Sequence, residues 1–379
     1  MRSGFVSILG RPNTGKSTLL NALVGQKLAI VTAKPQTTRT LIRGVAEIPA
    51  GRSRPAAQIV FVDTPGVLRP ASQLDRRMMQ QVAEALEALH VAILLVDATR
   101  GIEPSGDDAS ASAPGRASED DLAFRLLRKL DRPVFLVVNK IDRVAREKLL
   151  PLIAQLSSRH SFAEVIPISA KNRDGLDLLV KKLIEYLPQG RRYFPKDQLT
   201  DQPVRFLAAE LIRERILLET GNEVPYASAV VVERFEEQGP PGPGKKNRRP
   251  LTRIAAAIYC ERAGQKAILI GKGGAKLKSI GAAARREMES LLGARVYLEL
   301  HVTVEENWRE SRGFLDVLDW RRQLEDLARD QERAKGGDGW EKRSGAGPST
   351  AGRGPLPPAG QKARPDSLDL IPVESAEPG

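Results

Sequence analysis

A glycine-rich stretch near the start of the chain has the residue types and spacing of a phosphate-binding loop. It reads Gly10-Arg11-Pro12-Asn13-Thr14-Gly15-Lys16-Ser17 and lies between an aliphatic stretch, Phe5–Leu9, and a helical pattern that begins at Thr18. Its glycines allow backbone N–H groups to face a phosphate at the positive end of the helix, so we expect residues 10–18 to contact a nucleotide. Lys16 would contact the β- and γ-phosphates, and the Ser17 hydroxyl would bind magnesium. The alternative is a glycine-rich turn that merely precedes a helix.

Two short stretches further along have the chemistry to recognise guanine. Asn139-Lys140-Ile141-Asp142 follows the aliphatic run Val134–Val138, and Ser169-Ala170-Lys171 follows Val165–Ile168. The Asp142 carboxylate can accept hydrogen bonds from guanine N1–H and from the 2-amino group, whereas adenine offers neither donor. A backbone N–H of the second stretch could reach the guanine oxygen. Each string is common alone, but their order behind the phosphate loop predicts a site for GTP and GDP.

Two further loops have the residue types of switches that sense the γ-phosphate. Asp63-Thr64-Pro65-Gly66 places an acid where it can hold magnesium, with a glycine N–H directed to the γ-phosphate. In Gln36-Thr37-Thr38-Arg39, the Thr38 hydroxyl would join the metal when GTP is bound. The alternative is that Thr37 and Thr38 are exposed loop hydroxyls. The predicted catalytic residues are Lys16, Thr38, Asp63 and Gly66. The predicted metal ligands are Ser17, Thr38 and Asp63.

The residue that follows this acidic loop limits the expected rate of hydrolysis. It is Val67, and a valine cannot orient a water molecule as a glutamine can. We therefore predict slow intrinsic GTP hydrolysis that a partner or RNA accelerates.

The elements that must position these loops indicate two domains. Short β-branched runs alternate with amphipathic segments up to residue 192, which predicts an α/β P-loop domain over 1–192, with a mostly parallel sheet and helices on both faces. After a linker at 193–202, a smaller α+β domain is predicted over 203–322. Its expected elements are helices at Val204–Glu219 and Lys276–Leu292, and strands at Ala227–Phe235, Leu251–Cys260 and Arg295–Val304.

The second domain contains a GXXG motif, which can clamp single-stranded RNA. Glycines allow close approach of the RNA backbone, and residues 262–286 contain seven basic residues and no acidic one. The alternative is a solvated helix face with a flexible turn before it. The apolar residues at helical spacing after the motif are predicted to be core: Leu277, Ile280, Ala284, Met288 and Leu291. The candidate RNA contacts are Gly271, Lys272, Gly273, Gly274, Lys276 and Lys278.

Composition excludes several classes of protein and agrees with a polyanionic partner. The chain has 379 residues and a formal net charge of +12. Its single cysteine, Cys260, excludes internal disulfides and Cys-rich zinc modules. The longest aliphatic runs are far shorter than the roughly 20 residues that cross a bilayer, and no secretory signal is apparent, so a cytoplasmic location is expected.

Three segments do not fit the two-domain pattern. Residues 105–120 and 239–250 are rich in Gly, Pro, Ser or charge and are predicted to be surface insertions. Gly and Pro make up 16 of the 49 residues in 331–379, so this tail is predicted to be disordered.

The motifs GRPNTGKS, QTTR, DTPG, NKID and SAK, in that order, resemble the five signature elements of the translation-factor-related GTPases. With GKGG, residues 3–320 are similar to the Era family, which joins a GTPase domain to a type II KH domain. The resemblance implies GTP hydrolysis, binding of the 3′ region of 16S rRNA and assembly of the small (30S) ribosomal subunit. Some related proteins also contact the cytoplasmic membrane peripherally. In related GTPases an asparagine at the position of Asn13 can place a potassium ion beside the phosphates. The alternative is that Asn13 only braces the phosphate loop.

Two other functions stay open from the sequence. The chain could be a non-enzymatic RNA-binding protein with a relict nucleotide site, or a peripheral membrane GTPase that signals through its second domain. For the Era-like function, a monomer is expected.

Overall fold

The computed structural model describes residues 1–51, 54–100, 119–221, 223–238 and 250–320, together with the backbone of 371–372. Most of the two predicted insertions and of the predicted tail lies outside the described residues. The last two residues of the 105–120 segment are an exception, because they begin a helix rather than belong to a loop. The predicted domain boundaries stay predictions.

The first domain is built around a six-stranded sheet. Its strands are β1 (Arg2–Leu9), β2 (Ile42–Ile48), β3 (Ala57–Asp63), β4 (Val91–Asp97), β5 (Val134–Asn139) and β6 (Glu164–Pro167). They lie in the order β2-β3-β1-β4-β5-β6, and every neighbouring pair is parallel except β2 and β3. Residues of β3 and β5 are buried throughout, as β-branched strands covered on both faces should be. The mixed, mostly parallel sheet predicted from the sequence is therefore confirmed.

Helices cover both faces of this sheet. They are α1 (Lys16–Val24), α2 (Gln73–Glu87), α3 (Glu119–Leu127), α4 (Leu149–Ser157) and α5 (Leu176–Tyr186). One apolar cluster joins α1 and α5 to one face, and a second joins α2, α3 and α4 to the other. The sheet thus presents the carboxyl ends of its parallel strands at one edge, where ligands of such folds bind.

The second domain has the order α6 (Val204–Glu219), β7 (Ser228–Gln238), β8 (Leu251–Cys260), α7 (Ala263–Ile270), α8 (Ala275–Leu292), β9 (Arg295–Val304) and α9 (Arg312–Val317). A two-residue strand, β10 (Ile371–Pro372), adds to the edge of the sheet, which runs β10-β9-β8-β7. Strand β8 is antiparallel to β7 and parallel to β9. Helices α6, α7 and α8 pack on this sheet around one apolar core.

One helix of the second domain was not predicted, and one core assignment needs correction. Residues 267–270, directly before the GXXG motif, belong to the unpredicted helix α7. Leu291 was predicted to be core but is 37% exposed. It lies in the last turn of α8 and lines an open cavity beside Leu207 and Leu211 of α6. The other four predicted core residues of α8 are buried.

The two domains pack against each other through α2. Leu74 and Met78 of α2 share an apolar cluster with Trp308 and Leu315 of the second domain. Arg77 adds ion pairs across the same contact. The segment that follows the acidic switch loop is therefore part of the domain interface. Among the helices of the described ranges, none combines the length and apolar character that crossing a bilayer requires.

Candidate nucleotide site and RNA-binding loop

The glycines of the phosphate loop lie where a side chain would not fit. Gly10 has φ 151° and Gly15 has φ 99°, both in the region that favours glycine. A Cβ at Gly10 would lie 2.4 Å from the carbonyl oxygen of Leu95, and a Cβ at Gly15 would lie 2.4 Å from Nδ2 of Asn139. The backbone must therefore come close to β4 and to the end of β5 to form the cradle at the start of α1.

The Lys16 ammonium is held inside this cradle. Its Nζ donates to the carbonyl oxygens of Gly10, at 3.1 Å, and Arg11, at 2.9 Å. Only 6% of the residue is exposed. Burial lowers the pKa of Lys16 to about 8, although the nearby Asp63 carboxylate opposes the shift. An anionic ligand would restore the charged form, so the site favours a phosphate.

Three predicted metal ligands from separate loops meet beside the cradle. The Ser17 hydroxyl lies 2.8 Å from the Thr38 hydroxyl and donates to Oδ2 of Asp63 at 2.8 Å. The Thr38 hydroxyl also donates to Asp63 Oδ2, at 3.1 Å. These residues come from α1, the loop before β2 and the end of β3. The structure therefore brings all three together.

The donor set at this point suits magnesium. Asp63 is fully buried, and its second oxygen, Oδ1, has no hydrogen-bond partner within the described ranges. Burial raises the pKa of Asp63 to about 6, while Lys16 and the two hydroxyls oppose the shift. A buried carboxylate oxygen without a donor, next to two hydroxyl oxygens, is a set that a hard divalent cation would satisfy together with phosphate oxygens.

The rest of the acidic switch loop packs against the phosphate loop. Thr64 is buried and its hydroxyl donates to the carbonyl oxygen of Ile8 at 2.8 Å, so it is a structural brace. A Cβ at Gly66 would lie 2.7 Å from Pro12. Val67 is fully buried in the core, and its N–H donates to Gly10 at 3.1 Å. Its side chain therefore cannot reach a water molecule at the nucleotide.

The predicted guanine loops lie at the ends of β5 and β6 and are joined by hydrogen bonds. Asn139 donates to the carbonyl of Thr14 at 2.8 Å and accepts from the N–H of Ala170 at 3.0 Å. It therefore links the two base loops to the phosphate loop. Asp142 is exposed, and one of its oxygens accepts from the Ser169 hydroxyl at 2.6 Å. This contact orients the carboxylate and leaves its other oxygen for a base edge.

Lys140 and Lys171 differ in their surroundings. The Lys140 ammonium donates to the carbonyl of Asn13 at 2.7 Å and pairs with Asp97 at 2.6 Å, so it supports the phosphate loop. Lys171 is exposed. Asp97 is an acid of the site that the sequence reading missed, because a single aspartate at a strand end carries no motif.

Arg11 and Asn13 extend the phosphate loop toward its neighbours. The Arg11 guanidinium pairs with Glu119 and Asp120 of α3, at 3.2 and 3.1 Å. The Asn13 side-chain amide donates to the carbonyl of Ala33 at 2.7 Å, which ties the phosphate loop to the switch loop. This bond uses the nitrogen and leaves the amide oxygen as an acceptor.

The loop before β2 is docked on the second domain, which the sequence did not indicate. Arg39 donates to the carbonyl oxygens of Pro225, Tyr226 and Ser228, and its guanidinium lies 5.6 Å from the centre of the Trp308 ring. Lys34 donates to the carbonyls that follow α6, at 2.5 and 3.1 Å. One wall of the nucleotide pocket is therefore held by the other domain.

The GXXG loop connects α7 to α8 and is open to solvent. Gly271, Gly273 and Gly274 all have positive φ, and in the described part of the chain no atom lies within 4 Å of a Cβ built at Gly273. Lys272 and Lys278 are exposed. The predicted RNA contact Lys276 is instead partly engaged, because its ammonium donates to the carbonyl of Glu219 at the end of α6, at 3.0 Å.

Comparison with protein-family models gives two matches along the chain. Residues 5–140 match a model described as 50S ribosome-binding GTPase, and residues 223–309 match a KH domain. Among curated proteins, GTPase Era of Syntrophus aciditrophicus is 45% identical over 307 residues, which are 81% of this chain and 91% of that protein. GTPase Era of Xanthomonas oryzae pv. oryzae is 45% identical over 319 residues, which are 84% of this chain and 96% of that protein.

Two solved structures are similar over both domains. A variant of Era from Aquifex aeolicus bound to GDP·AlF4− is 38% identical, with a TM-score of 0.74, over 84% of this chain and 99% of that one. An Era complex with MgGDPNP and nucleotides 1506–1542 of 16S ribosomal RNA has the same identity and TM-score, over 84% of this chain and 98% of that one. The similarity therefore extends across the GTPase and KH domains together.

Proposed function

Because the chain belongs to the Era family of GTPases, and is therefore a GTP-hydrolysing enzyme, we propose that it couples GTP hydrolysis to binding of the 3′ region of 16S rRNA. In this role it assists maturation of the 30S subunit. Family membership also makes the relict nucleotide site suggested as an alternative untenable.

One observation carries the RNA part of the proposal. The similar Era structure contains nucleotides 1506–1542 of 16S ribosomal RNA, and its likeness to this chain covers the KH domain as well as the GTPase domain. In this chain the GXXG loop has space beside Gly273 and exposed lysines on both sides of it. An open, basic, glycine-lined loop suits a single-stranded RNA backbone.

The proposed roles in GTP hydrolysis follow from the geometry of the first domain. Ser17, Thr38 and Asp63 would hold magnesium, which when bound neutralises charge on the phosphates. Lys16 and the N–H groups of the loop would bind the phosphate oxygens. Gly66 would offer its N–H to the γ-phosphate. Val67 provides no group that orients water, so we expect a low intrinsic rate that a partner or RNA raises.

The base would be read by the loops after β5 and β6. Asp142, oriented by Ser169, would accept from guanine, and the N–H of Ala170 or Lys171 would donate to the guanine oxygen. Ala170 already gives its N–H to Asn139, so the remaining backbone donor is that of Lys171.

We also propose that the Asn13 amide oxygen takes part in binding potassium beside the phosphates, since its nitrogen is engaged by Ala33. Exchange of potassium for sodium at constant ionic strength should then lower the rate of GTP hydrolysis. Equal rates in the two salts would reject the ion and leave Asn13 as a brace.

A cytoplasmic monomer with weak peripheral contact to membrane lipid completes the proposal. Its support is the net charge of +12. Co-sedimentation with vesicles that contain anionic lipid, compared with neutral vesicles, measures this contact, and gel filtration measures the oligomeric state.

The main experiment crosslinks the full chain to RNA in cells, with and without a non-hydrolysable GTP analogue, and sequences the attached RNA. We expect the 3′ region of 16S rRNA to be enriched and the yield to depend on the nucleotide. Recovery of no ribosomal RNA would favour a membrane-signalling role instead. The variant Lys272→Ala should lower the yield of crosslinked RNA a few-fold, whereas Lys129→Ala, which changes an exposed lysine of the other domain, should leave the yield unchanged.

A further inference from the structure

Helix α6 of the KH domain contacts both ends of the loop that forms one wall of the nucleotide pocket. At one end, the Glu214 carboxylate accepts from the N–H of Val31 at 2.9 Å. At the other end, the Arg213 guanidinium donates to the carbonyl oxygen of Thr37. Residues 31–37 are therefore held by two consecutive residues from a different domain.

The Arg213 guanidinium is itself held in a fixed orientation. Its Nε and Nη2 donate to the two carboxylate oxygens of Glu210, at 2.7 and 2.6 Å, and only 3% of the residue is exposed. A two-point pair of this kind holds the guanidinium plane in one orientation. The same Nη2 that contacts Glu210 also contacts Thr37, so the Thr37 carbonyl is set by a rigid group.

The contact lies one residue from the candidate metal site. The Thr37 carbonyl belongs to the peptide that leads into Thr38, and the Thr38 hydroxyl lies 2.8 Å from Ser17 and 3.1 Å from Asp63. Because that peptide unit is planar, fixing its oxygen restricts where the Thr38 backbone can go. Without the Arg213 contact, the backbone at Thr37 and Thr38 would have fewer restraints.

The arrangement is unfavourable as a purely structural contact. The Nη1 of Arg213 is buried and has no hydrogen-bond partner among the residues that the structure describes, so the guanidinium is only partly satisfied. Buried ion pairs commonly add little to stability because desolvation offsets the attraction. The contact between Arg213 and the Thr37 carbonyl is therefore better explained by its effect on the position of the loop 31–37 than by a contribution to stability.

We propose that Arg213 is a positioning residue for GTP hydrolysis, acting through the Thr37 carbonyl to keep the Thr38 hydroxyl beside Ser17 and Asp63. The KH domain thereby completes the nucleotide site of the GTPase domain. This inference rests on the metal-binding role proposed for Thr38.

The test compares three variants of the full chain without RNA: Arg213→Gln, Thr38→Ala and the double variant. Arg205→Gln is the matched control, because Arg205 is also on α6 but donates only to carbonyls of its own domain, Val232 and Glu233. We expect Arg213→Gln to lower kcat about tenfold, as loss of a charged hydrogen bond should. We expect Arg205→Gln to change kcat less than twofold because, over the described ranges, Arg205 makes no hydrogen bond to the nucleotide site.

The double variant separates positioning from independent action. If Arg213 acts through Thr38, the double variant should be no slower than Thr38→Ala alone. The inference would be overturned if the kcat losses of the two single variants multiply in the double variant. It would also be overturned if Arg213→Gln lowers kcat no more than Arg205→Gln does. Either outcome would leave the role of Thr38 intact. An unchanged rate for Thr38→Ala would overturn both.

A second measurement does not depend on catalysis. Hydrogen exchange of residues 31–39 in nucleotide-free protein should be faster in Arg213→Gln than in the wild type and the Arg205→Gln control. Should Arg213→Gln fail to fold, Glu210→Gln loosens Arg213 without removing it and is expected to give the same pattern more weakly. Unchanged exchange in a folded variant would count against the proposal.

Discussion

The phosphate loop and the GXXG loop look alike in sequence and differ in packing. Both place glycines and a lysine before a helix, yet a Cβ at Gly10 or Gly15 would meet other atoms at 2.4 Å, whereas Gly273 has open space around it within the described structure. Lys16 is buried and bonded to two carbonyls, whereas Lys272 is exposed. The phosphate loop is therefore closely packed by its neighbours, whereas the GXXG loop is open to solvent.

This difference sets how each loop selects its ligand. A closed cradle with buried hydrogen-bonding groups rejects any ligand that leaves them unpaired. An open, basic loop depends more on charge, so its affinity should fall with salt and respond gradually to single substitutions. Changes in the nucleotide site should therefore have large effects, and changes in the RNA loop small ones.

The largest effect is expected from Lys16→Ala. Removal of the phosphate-binding ammonium should lower GTP hydrolysis on the order of a thousandfold. The RNA affinity of nucleotide-free protein should stay as in the wild type, since the two loops are in separate domains. Single-turnover hydrolysis and RNA titration measure the two effects, with Lys129→Ala as control. A loss below tenfold would contradict the assignment of Lys16.

Asp142→Asn should change the choice of base. The amide nitrogen that Asp142→Asn introduces is a donor and cannot accept the hydrogen bonds that guanine N1–H and the 2-amino group donate to the carboxylate. Loss of these two hydrogen bonds should lower the preference for GTP over ATP about a hundredfold. The amide oxygen can still accept from Ser169, so the loop should keep its shape. Competitive binding of the two nucleotides tests this, and an unchanged ratio would show that the base is read elsewhere.

GTP binding should have a pH optimum between about 6 and 8. Above the Lys16 pKa of about 8, the free lysine is neutral, so binding must take up a proton and affinity should fall about tenfold per pH unit. Below the Asp63 pKa of about 6, the carboxyl is protonated and magnesium-dependent binding should decline. Titration with a GTP analogue from pH 5 to pH 9.5 measures both limits. In Lys16→Ala the alkaline decline should disappear.

The smallest effect is expected from Lys272→Ala. Loss of one phosphate contact should weaken binding of single-stranded RNA a few-fold at low salt and reduce the salt slope by roughly 0.7. Affinity measured at several salt concentrations checks both quantities. A large loss that does not depend on salt would mean that the GXXG loop is a closed site like the phosphate loop, and the comparison would fail.

Sequence patterns located the candidate nucleotide loops, which the structure brings together, because each is a local arrangement. The strands that lead to Gly10, Asp63 and Asn139 are short, β-branched and mostly buried, whereas in the strand before Ser169 only Ile166 is buried. In a parallel sheet the carboxyl ends of these strands meet at one edge. Helix α7 was missed because its last turn, 267–270, is a short apolar run directly before a glycine loop. Leu291 was misjudged because helical spacing does not show that the last turn of α8 borders an open cavity.

Residues close together in the chain therefore determined which stretches are candidates for the phosphate loop, the base-reading loops and the RNA loop. Only the tertiary structure decided that Arg213, which is 176 residues from Thr37 in sequence, contacts the switch loop, and that Lys276 contacts the end of α6. Such pairs leave no periodicity or spacing to detect, because they depend on how one domain is placed on the other. That placement is set by apolar packing around Trp308 and α2, which many sequences could provide.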